Sequence, residues 1–169
     1  MSPADLLTDS LARVLESVEA VLDGASDDLL AERPGPDANS IGWLVWHLTR
    51  VEDDHIAGVA GTEQVWTADG YDARFDLPFE TGDIGYGQTS DQVALVRACA
   101  ELLADYHRAT HARALAWIAT LTPDDLDRVV DTRWDPPVTL GVRLVSVVND
   151  CTQHVGQAAY VRGLLTRPA

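Results

Sequence analysis

Asp150 and His154 stand four residues apart near the carboxyl end of the chain, in the order Asp150-Cys-Thr-Gln-His154. On an α-helix this spacing places both side chains on one face, one turn apart. A carboxylate and an imidazole placed in this way can bind one divalent metal ion. A buried Asp–His hydrogen bond without a metal accounts for the pattern equally well, so the pair alone leaves both interpretations open.

The neighbours of this pair indicate that it faces the protein interior. At about 100° per residue, the apolar side chains of Val147, Val161 and Leu165 fall on the same stripe as Asp150 and His154. An unpaired carboxylate that faces a helix-bundle core is costly. A metal ion removes that cost, because it binds a deprotonated carboxylate and a neutral imidazole directly.

Four other histidines are candidate ligands. His47 lies at the edge of a second apolar helical stripe, so it can bind the same metal only if the two helices face each other. His55, two turns further on, is a rival ligand or a pocket residue. His107 and His111 have the stronger metal-binding spacing, H-x-x-x-H, but they lie beside the centre of their own apolar stripe. We therefore expect His107 and His111 to face mostly solvent.

Four stretches with apolar residues at helical spacing would position these side chains. They run from about Pro3 to Asp23, Ser40 to Val59, Ser90 to Leu121 and Leu140 to Leu164. Residues 62–89 are irregular, with many glycines and aromatic residues, and we expect them to lie over one end of the helices. Four amphipathic helices of this length close into a bundle. The sequence therefore predicts an all-α four-helix bundle that forms one domain over residues 1–169.

Composition limits the partners and the location. The formal net charge is −15, and such an acidic chain is repelled by nucleic acid and by anionic lipid. No apolar run approaches the roughly 18 residues of a membrane span, and the first residues lack the pattern of a secretory signal. We expect a cytoplasmic protein whose two cysteines, Cys99 and Cys151, are reduced and partly buried.

Two stretches resemble the second and fourth helices of the DinB-like superfamily. The first is Ser40-Ile-Gly-Trp-Leu-Val-Trp-His47-Leu, followed by Arg50-Val-Glu-Asp-Asp-His55; the second is Asp150-x-x-x-His154-x-Gly156-Gln157, followed by Arg162-Gly-Leu. The chain looks most similar to the DUF664 group, to thiol-dependent transferases and to the N-terminal domain of mycothiol-dependent maleylpyruvate isomerase.

This resemblance implies a DinB-like bundle with a divalent metal, zinc or nickel, held by His47, Asp150 and His154. Many members of the superfamily carry His at the position of Asp150, and the isomerase-like members carry Glu. Asp is shorter than either residue, so this departure bears on the identity and affinity of the metal.

The resemblance also implies a function and an assembly. Three protein ligands leave positions open for water or substrate, as in catalytic metal sites. The implied activity is a mycothiol-dependent S-transfer to an electrophile, in which the metal activates the thiol, by a protein that forms a homodimer. We expect a pocket around the metal, lined by Trp43, Trp46, His55 and Gln157.

The alternative is a non-enzymatic DinB-like bundle that binds a metal or a small molecule. Hydrolysis by a metal-activated water ranks last, because no further carboxylate is clearly placed as a general base.

Overall fold

The computed structural model describes residues 1–167 and shows a bundle of four long helices joined by shorter elements. In chain order the helices are α1 (Pro3–Leu22), α2 (Asp27–Ala31), α3 (Ile41–Ala60), α4 (Val65–Ala68), α5 (Tyr71–Phe75), α6 (Ser90–Val93), α7 (Ala100–Ile118) and α8 (Leu140–Thr166). Helix α3 packs against α7 and α8, and α1 packs against the same two helices. This arrangement confirms the predicted all-α four-helix bundle.

A small element that the sequence analysis missed links α7 to α8. It consists of a 3-10 helix (Pro123–Asp127) and two short antiparallel strands, β1 (Val129–Asp131) and β2 (Val138–Thr139). Strand β2 leads directly into α8, whose first turn is capped by the Thr139 side chain. Within residues 1–167, no helix is long and apolar enough to cross a membrane.

The helix starts follow the capping chemistry of the sequence. Ser2 and Asp5 form a capping box at α1, with Pro3 in the first turn. The Ser40 hydroxyl accepts a hydrogen bond of 3.1 Å from the backbone N–H of Trp43, which fixes the start of α3. Gly61 ends α3 in the left-handed conformation, with φ of 71°. The position of His47 on α3 is set by this start.

The predicted third helix, Ser90 to Leu121, is wrong over residues 94–99, where the helix is interrupted, and it ends at Ile118. The capping box of Thr89 and Gln92 starts only the short α6, and the chain leaves the helical path before α7 begins at Ala100. Cys99 stands at this second start and is exposed, contrary to expectation, whereas Cys151 is buried, and both thiols are free. The break brings the backbone carbonyl of Val96 close to Gly42 of α3, and the Val96 side chain is buried.

The aromatic residues of the irregular segment pack against α7 and anchor that segment on the bundle. Trp66, Tyr71 and Phe75 surround the ring of Tyr106, with ring centroids 4.8–5.8 Å apart. The buried Asp53 carboxylate accepts hydrogen bonds of 2.8 Å from the Trp66 N–H and from the Tyr106 hydroxyl. These contacts hold the first half of the irregular segment, residues 62–75, on the bundle.

Candidate metal centre

His47, Asp150 and His154 converge between α3 and α8. One ligand atom of each residue lies within 4.8 Å of the other two, so a single metal ion could be held by all three after a small adjustment of the side chains. The sequence made the participation of His47 depend on whether its helix faces the helix of Asp150 and His154. Helices α3 and α8 do pack against each other, so this condition is met.

The three side chains form a site that is closed on one side and open on the other. His47 is buried, with 2% of its surface exposed, whereas the side chains of Asp150 and His154 are 22% and 19% exposed. A ligand from solvent can therefore approach the site over α8. This is the layout of a catalytic site rather than of a closed structural metal site.

Hydrogen bonds fix which nitrogen of each imidazole faces the site. Nδ1 of His47 donates to the backbone carbonyl of Ile84, and Nδ1 of His154 lies 2.9 Å from the backbone carbonyl of Asp150. Because a carbonyl only accepts, both Nδ1 atoms carry the proton in the neutral ring. Each Nε2 is then left with a lone pair for a metal.

The environment of the Asp150 carboxylate indicates that the three side chains fit a cation. Its Oδ1 is buried and has no hydrogen bond of its own, because Nδ1 of His154, 3.1 Å away, is bonded to the backbone carbonyl of Asp150. A buried carboxylate oxygen without a partner is costly. A divalent ion held by one carboxylate oxygen and two imidazole nitrogens satisfies this oxygen with a common donor set for zinc.

The two imidazoles differ in how readily they bind a proton. Burial lowers the pKa of His47, so this ring is neutral at neutral pH. Burial acts in the same direction on His154, but its contacts with Asp150 and the charge of that carboxylate outweigh burial and raise its pKa. Protons therefore compete with a metal mainly at His154.

A short loop, residues 83–88, packs against the His47 side chain. Asp83 accepts hydrogen bonds from the Gly85 N–H, at 2.7 Å, and from Nε2 of Gln88, at 3.0 Å. Nε1 of Trp43 donates to Oε1 of Gln88 at 2.8 Å. These bonds tie the 83–88 loop to itself and to α3, so the carbonyl that orients His47 is held in place.

Gly85 is required at the point where this loop meets His47. Its φ is +100°, and a Cβ built there would lie 2.6 Å from Nδ1 of His47 and 3.1 Å from the Trp43 ring. A side chain is excluded here for two reasons. The positive φ would strain the backbone of a residue other than glycine, and a Cβ would overlap with the His47 ring.

We expect Gly85→Ala to displace the His47 ring and weaken metal binding by about 10- to 100-fold, the usual cost of disturbing a ligand's support. Competition with a chromophoric chelator measures this affinity. Gly87→Ala is the matched control, because Gly87 also has a positive φ, of 72°, but has no atom within 4 Å of its Cβ position. Equal losses in the two variants would contradict a specific role for Gly85.

The four predicted pocket residues lie in different places. Trp43 stacks on His47, with ring centroids 4.6 Å apart, and faces His154 edge-on at 6.4 Å. Trp46 is buried one layer away, against Trp66 and Phe79. His55 lines a groove further along α3, and Gln157 is exposed on α8. Trp43 is thus the one that directly contacts the imidazoles, and the roles of all four remain predictions.

The expectation that His107 and His111 face solvent is wrong. They are 0% and 7% exposed, because α7 packs against both α1 and α3 and so buries a wider arc of its surface. Nδ1 of His107 lies 3.1 Å from the Thr49 hydroxyl and 4.0 Å from the carboxylate of the fully buried Glu52. This polar cluster is separate from His47, Asp150 and His154.

The chain resembles known proteins in sequence and in fold. The family model described as Mycothiol-S-transferase matches residues 6–167. The chain belongs to the mycothiol S-transferase family. A crystal structure of a conserved protein from Enterococcus faecalis matches with a TM-score of 0.90 and 34% identity, over 97% of each chain. None of the curated proteins compared with the chain matches it. The resemblance inferred from the motifs is thereby confirmed, and so is the DinB-like fold.

The sequence analysis missed the contribution of the 83–88 loop. The Ile84 carbonyl leaves no trace in the sequence, because any residue supplies one. Gly85 is one of several glycines in an irregular stretch, and Tyr86 is one of several aromatic residues there. Tyr86 nevertheless packs edge-on against His47, with ring centroids 5.4 Å apart, and is 60% exposed.

Proposed function

We propose that this protein is a divalent-metal-dependent thiol S-transferase that uses mycothiol as its thiol substrate. The observation that carries the proposal is the open triad of His47, Asp150 and His154, with one unpartnered carboxylate oxygen, in a chain of the mycothiol S-transferase family. The proposed ion is zinc, with nickel as the alternative. Residues 1–169 would form one metal-binding domain.

Different residues of the chain would hold the metal ion and orient its ligands. Nε2 of His47, Nε2 of His154 and Oδ1 of Asp150 would hold the ion, which lowers the pKa of a bound thiol so that the thiolate is the nucleophile at neutral pH. The Ile84 carbonyl keeps His47 in the required tautomer. Trp43 covers one face of the His47 ring and limits its movement.

The proposed transfer is a substitution at an electrophilic carbon. The thiol loses its proton to solvent, and the sulfur lone pair forms the new S–C bond. The leaving group departs with the electron pair of the bond that breaks and takes up a proton from solvent. The exposed edge of the triad, over Asp150 and His154, is where the electrophile would approach.

The rival function is a non-enzymatic bundle that binds a metal or a small molecule. The open triad is compatible with it, because binding alone also needs an accessible site. The two functions differ in whether a bound thiol ionises and reacts.

Cobalt substitution tests the proposed function. We expect the Co(II)-loaded protein to develop a sulfur-to-cobalt charge-transfer absorption band when mycothiol is added at neutral pH, because the thiol would bind as thiolate. The band should be absent in His47→Ala, and conjugation of mycothiol to an electrophile panel should be lost with it. A binding module would give neither the band nor turnover. Absence of both in the metal-loaded wild-type protein would overturn the transferase proposal.

We further propose a cytoplasmic homodimer. Four large apolar side chains of α8, Val142, Val145, Tyr160 and Leu164, are 44–69% exposed. At 100° per residue they share one face of the helix, where a second copy could cover them. Sedimentation should show a dimer in the wild-type protein and a monomer in Tyr160→Asp. A monomeric wild-type protein at high concentration would contradict this arrangement.

A further inference from the structure

A polar groove runs along the seam between α3 and α8, beyond the triad. It is lined by Asp54 and His55 from α3, by Arg143 from α8 and by Asp131 from β1, and its volume is about 510 Å³. None of these side chains belongs to the proposed metal site. The sequence singled out His55 as a rival metal ligand or a pocket residue.

The groove and the triad share the same helix faces. Asp54 follows His47 by seven residues, and Arg143 precedes Asp150 by seven residues. Seven residues are close to two full helical turns, or roughly 10 Å along the axis. The same two faces therefore carry the triad at one level and the groove about 10 Å away.

Tyr86 borders the triad. Its ring lies against His47, with ring centroids 5.4 Å apart, and is 60% exposed. The ring therefore offers an exposed aromatic surface to a ligand whose sulfur binds at the triad.

The charges in the groove are paired with one another. His55 lies 3.2 Å from Asp54, and its hydrogen bond holds the pKa of that carboxyl below the usual range, so Asp54 is a carboxylate. Asp131 accepts bonds of 2.8 Å from Arg133 and 3.0 Å from Arg143. Two carboxylates and two guanidinium groups balance, so the groove has no excess charge with which to attract an anion.

Such a groove suits an uncharged ligand with many hydroxyl groups. Each hydroxyl both donates and accepts hydrogen bonds, and the groove offers carboxylate acceptors beside guanidinium and imidazole donors. Hydrogen bonds to charged groups are the stronger ones. A small thiol with its sulfur at the triad would not reach residues about 10 Å away.

We propose that this groove, formed by Asp54, His55, Arg143 and Asp131, is the recognition site for the hydroxyl-rich body of the thiol substrate. The inference rests on the proposed function, in which mycothiol places its sulfur at the triad. Mycothiol carries a sugar–inositol body on its cysteine, and that body would extend past Tyr86 into the groove. The groove then selects mycothiol over small thiols that lack such a body.

Two variants test the groove with three probes. His55→Ala and Asp54→Asn each remove one hydrogen-bonding group, and we expect about a tenfold rise in the dissociation constant of S-methyl mycothiol, corresponding to the loss of one hydrogen bond to a charged group. Calorimetry measures this binding, and the blocked sulfur makes the readout independent of thiolate formation. The kcat/KM for mycothiol should fall about tenfold relative to that for N-acetylcysteine, which has no sugar body.

Asp28→Asn, at an exposed carboxylate on the short α2, is the matched control and should leave both quantities unchanged. Unchanged binding of S-methyl mycothiol in both groove variants would overturn the recognition site. So would equal losses of kcat/KM for mycothiol and N-acetylcysteine. If the wild-type protein binds S-methyl mycothiol through these residues but transfers no thiol, the proposed function fails while the recognition site stands.

Discussion

His154→Ala is expected to abolish stoichiometric metal binding. The variant removes one of the three proposed ligands and leaves the Asp150 carboxylate with a single imidazole partner. Disturbing only the support of a ligand costs roughly 10- to 100-fold in metal affinity, so loss of the ligand itself should cost at least about 100-fold. Elemental analysis of protein purified without chelators measures the effect. His47→Ala and Asp150→Ala should behave in the same way.

His55→Ala is the control for this experiment, because His55 lies on the same helix as His47 and is also partly buried. It should retain the metal content of the wild-type protein. Full metal in the His154→Ala protein would show that the triad is not the metal site. Loss of metal in His55→Ala would place the ligand set further along α3.

The convergence of the triad was largely predictable from the sequence. The i,i+4 spacing of Asp150 and His154 fixes their common face wherever α8 packs, because helix geometry alone decides it. His47 needed information that local pattern does not contain, namely that α3 is the neighbour of α8. The motifs shared with the DinB-like superfamily supplied that information.

The support of the site could not be predicted in this way. Ile84 contributes a backbone carbonyl, and Gly85 contributes the absence of a side chain at a close approach. Both depend on the route of the 83–88 loop, which is fixed by hydrogen bonds from Arg50 to the backbone carbonyls of Thr81 and Asp83 and from Trp43 to Gln88. Periodicity describes helices and carries no information about such a route.

The prediction that His107 and His111 face solvent was wrong for a different reason. A helix that packs against one neighbour buries a narrow stripe, and residues beside that stripe face solvent. Helix α7 contacts both α1 and α3, so the residues beside its stripe are covered as well. His107 then meets Glu52, an acidic residue that the apolar pattern of α3 did not assign to the core.

The buried pair of Glu52 and His107 should make stability depend on pH in a distinctive way. Burial, together with the charge of Asp53, raises the pKa of Glu52 from 4.5 to about 8. Burial and the proximity of His111 lower the pKa of His107 from 6.5 to about 3. Both groups are therefore uncharged in the folded protein near pH 6, where the unfolded chain ionises Glu52.

Glu52 and His107 change the free energy of unfolding in opposite directions as pH rises. Between pH 4.5 and 8 the folded state keeps a proton on Glu52 that the unfolded state has released, so the free energy of unfolding falls as pH rises. Between pH 3 and 6.5 the unfolded state protonates His107 and the folded state does not, so the free energy of unfolding rises with pH. Above pH 6.5 the contribution of His107 to the free energy of unfolding no longer changes. From there to pH 8 the contribution of Glu52 continues to fall, so it sets the trend of the pair.

Glu52→Gln removes only the Glu52 contribution and keeps the shape of the side chain. We expect the variant to gain stability relative to the wild type as pH rises, reaching a difference on the order of 5 kcal/mol above pH 8 at about 1.4 kcal/mol per unit of pKa shift. Urea unfolding of the metal-free proteins at pH 5 and pH 8.5 measures the change, and the exposed Glu63→Gln serves as the control. Protonation of the triad histidines affects both proteins equally and cancels in the difference. A stability difference that is the same at the two pH values would show that Glu52 ionises in the folded protein as readily as in the unfolded chain.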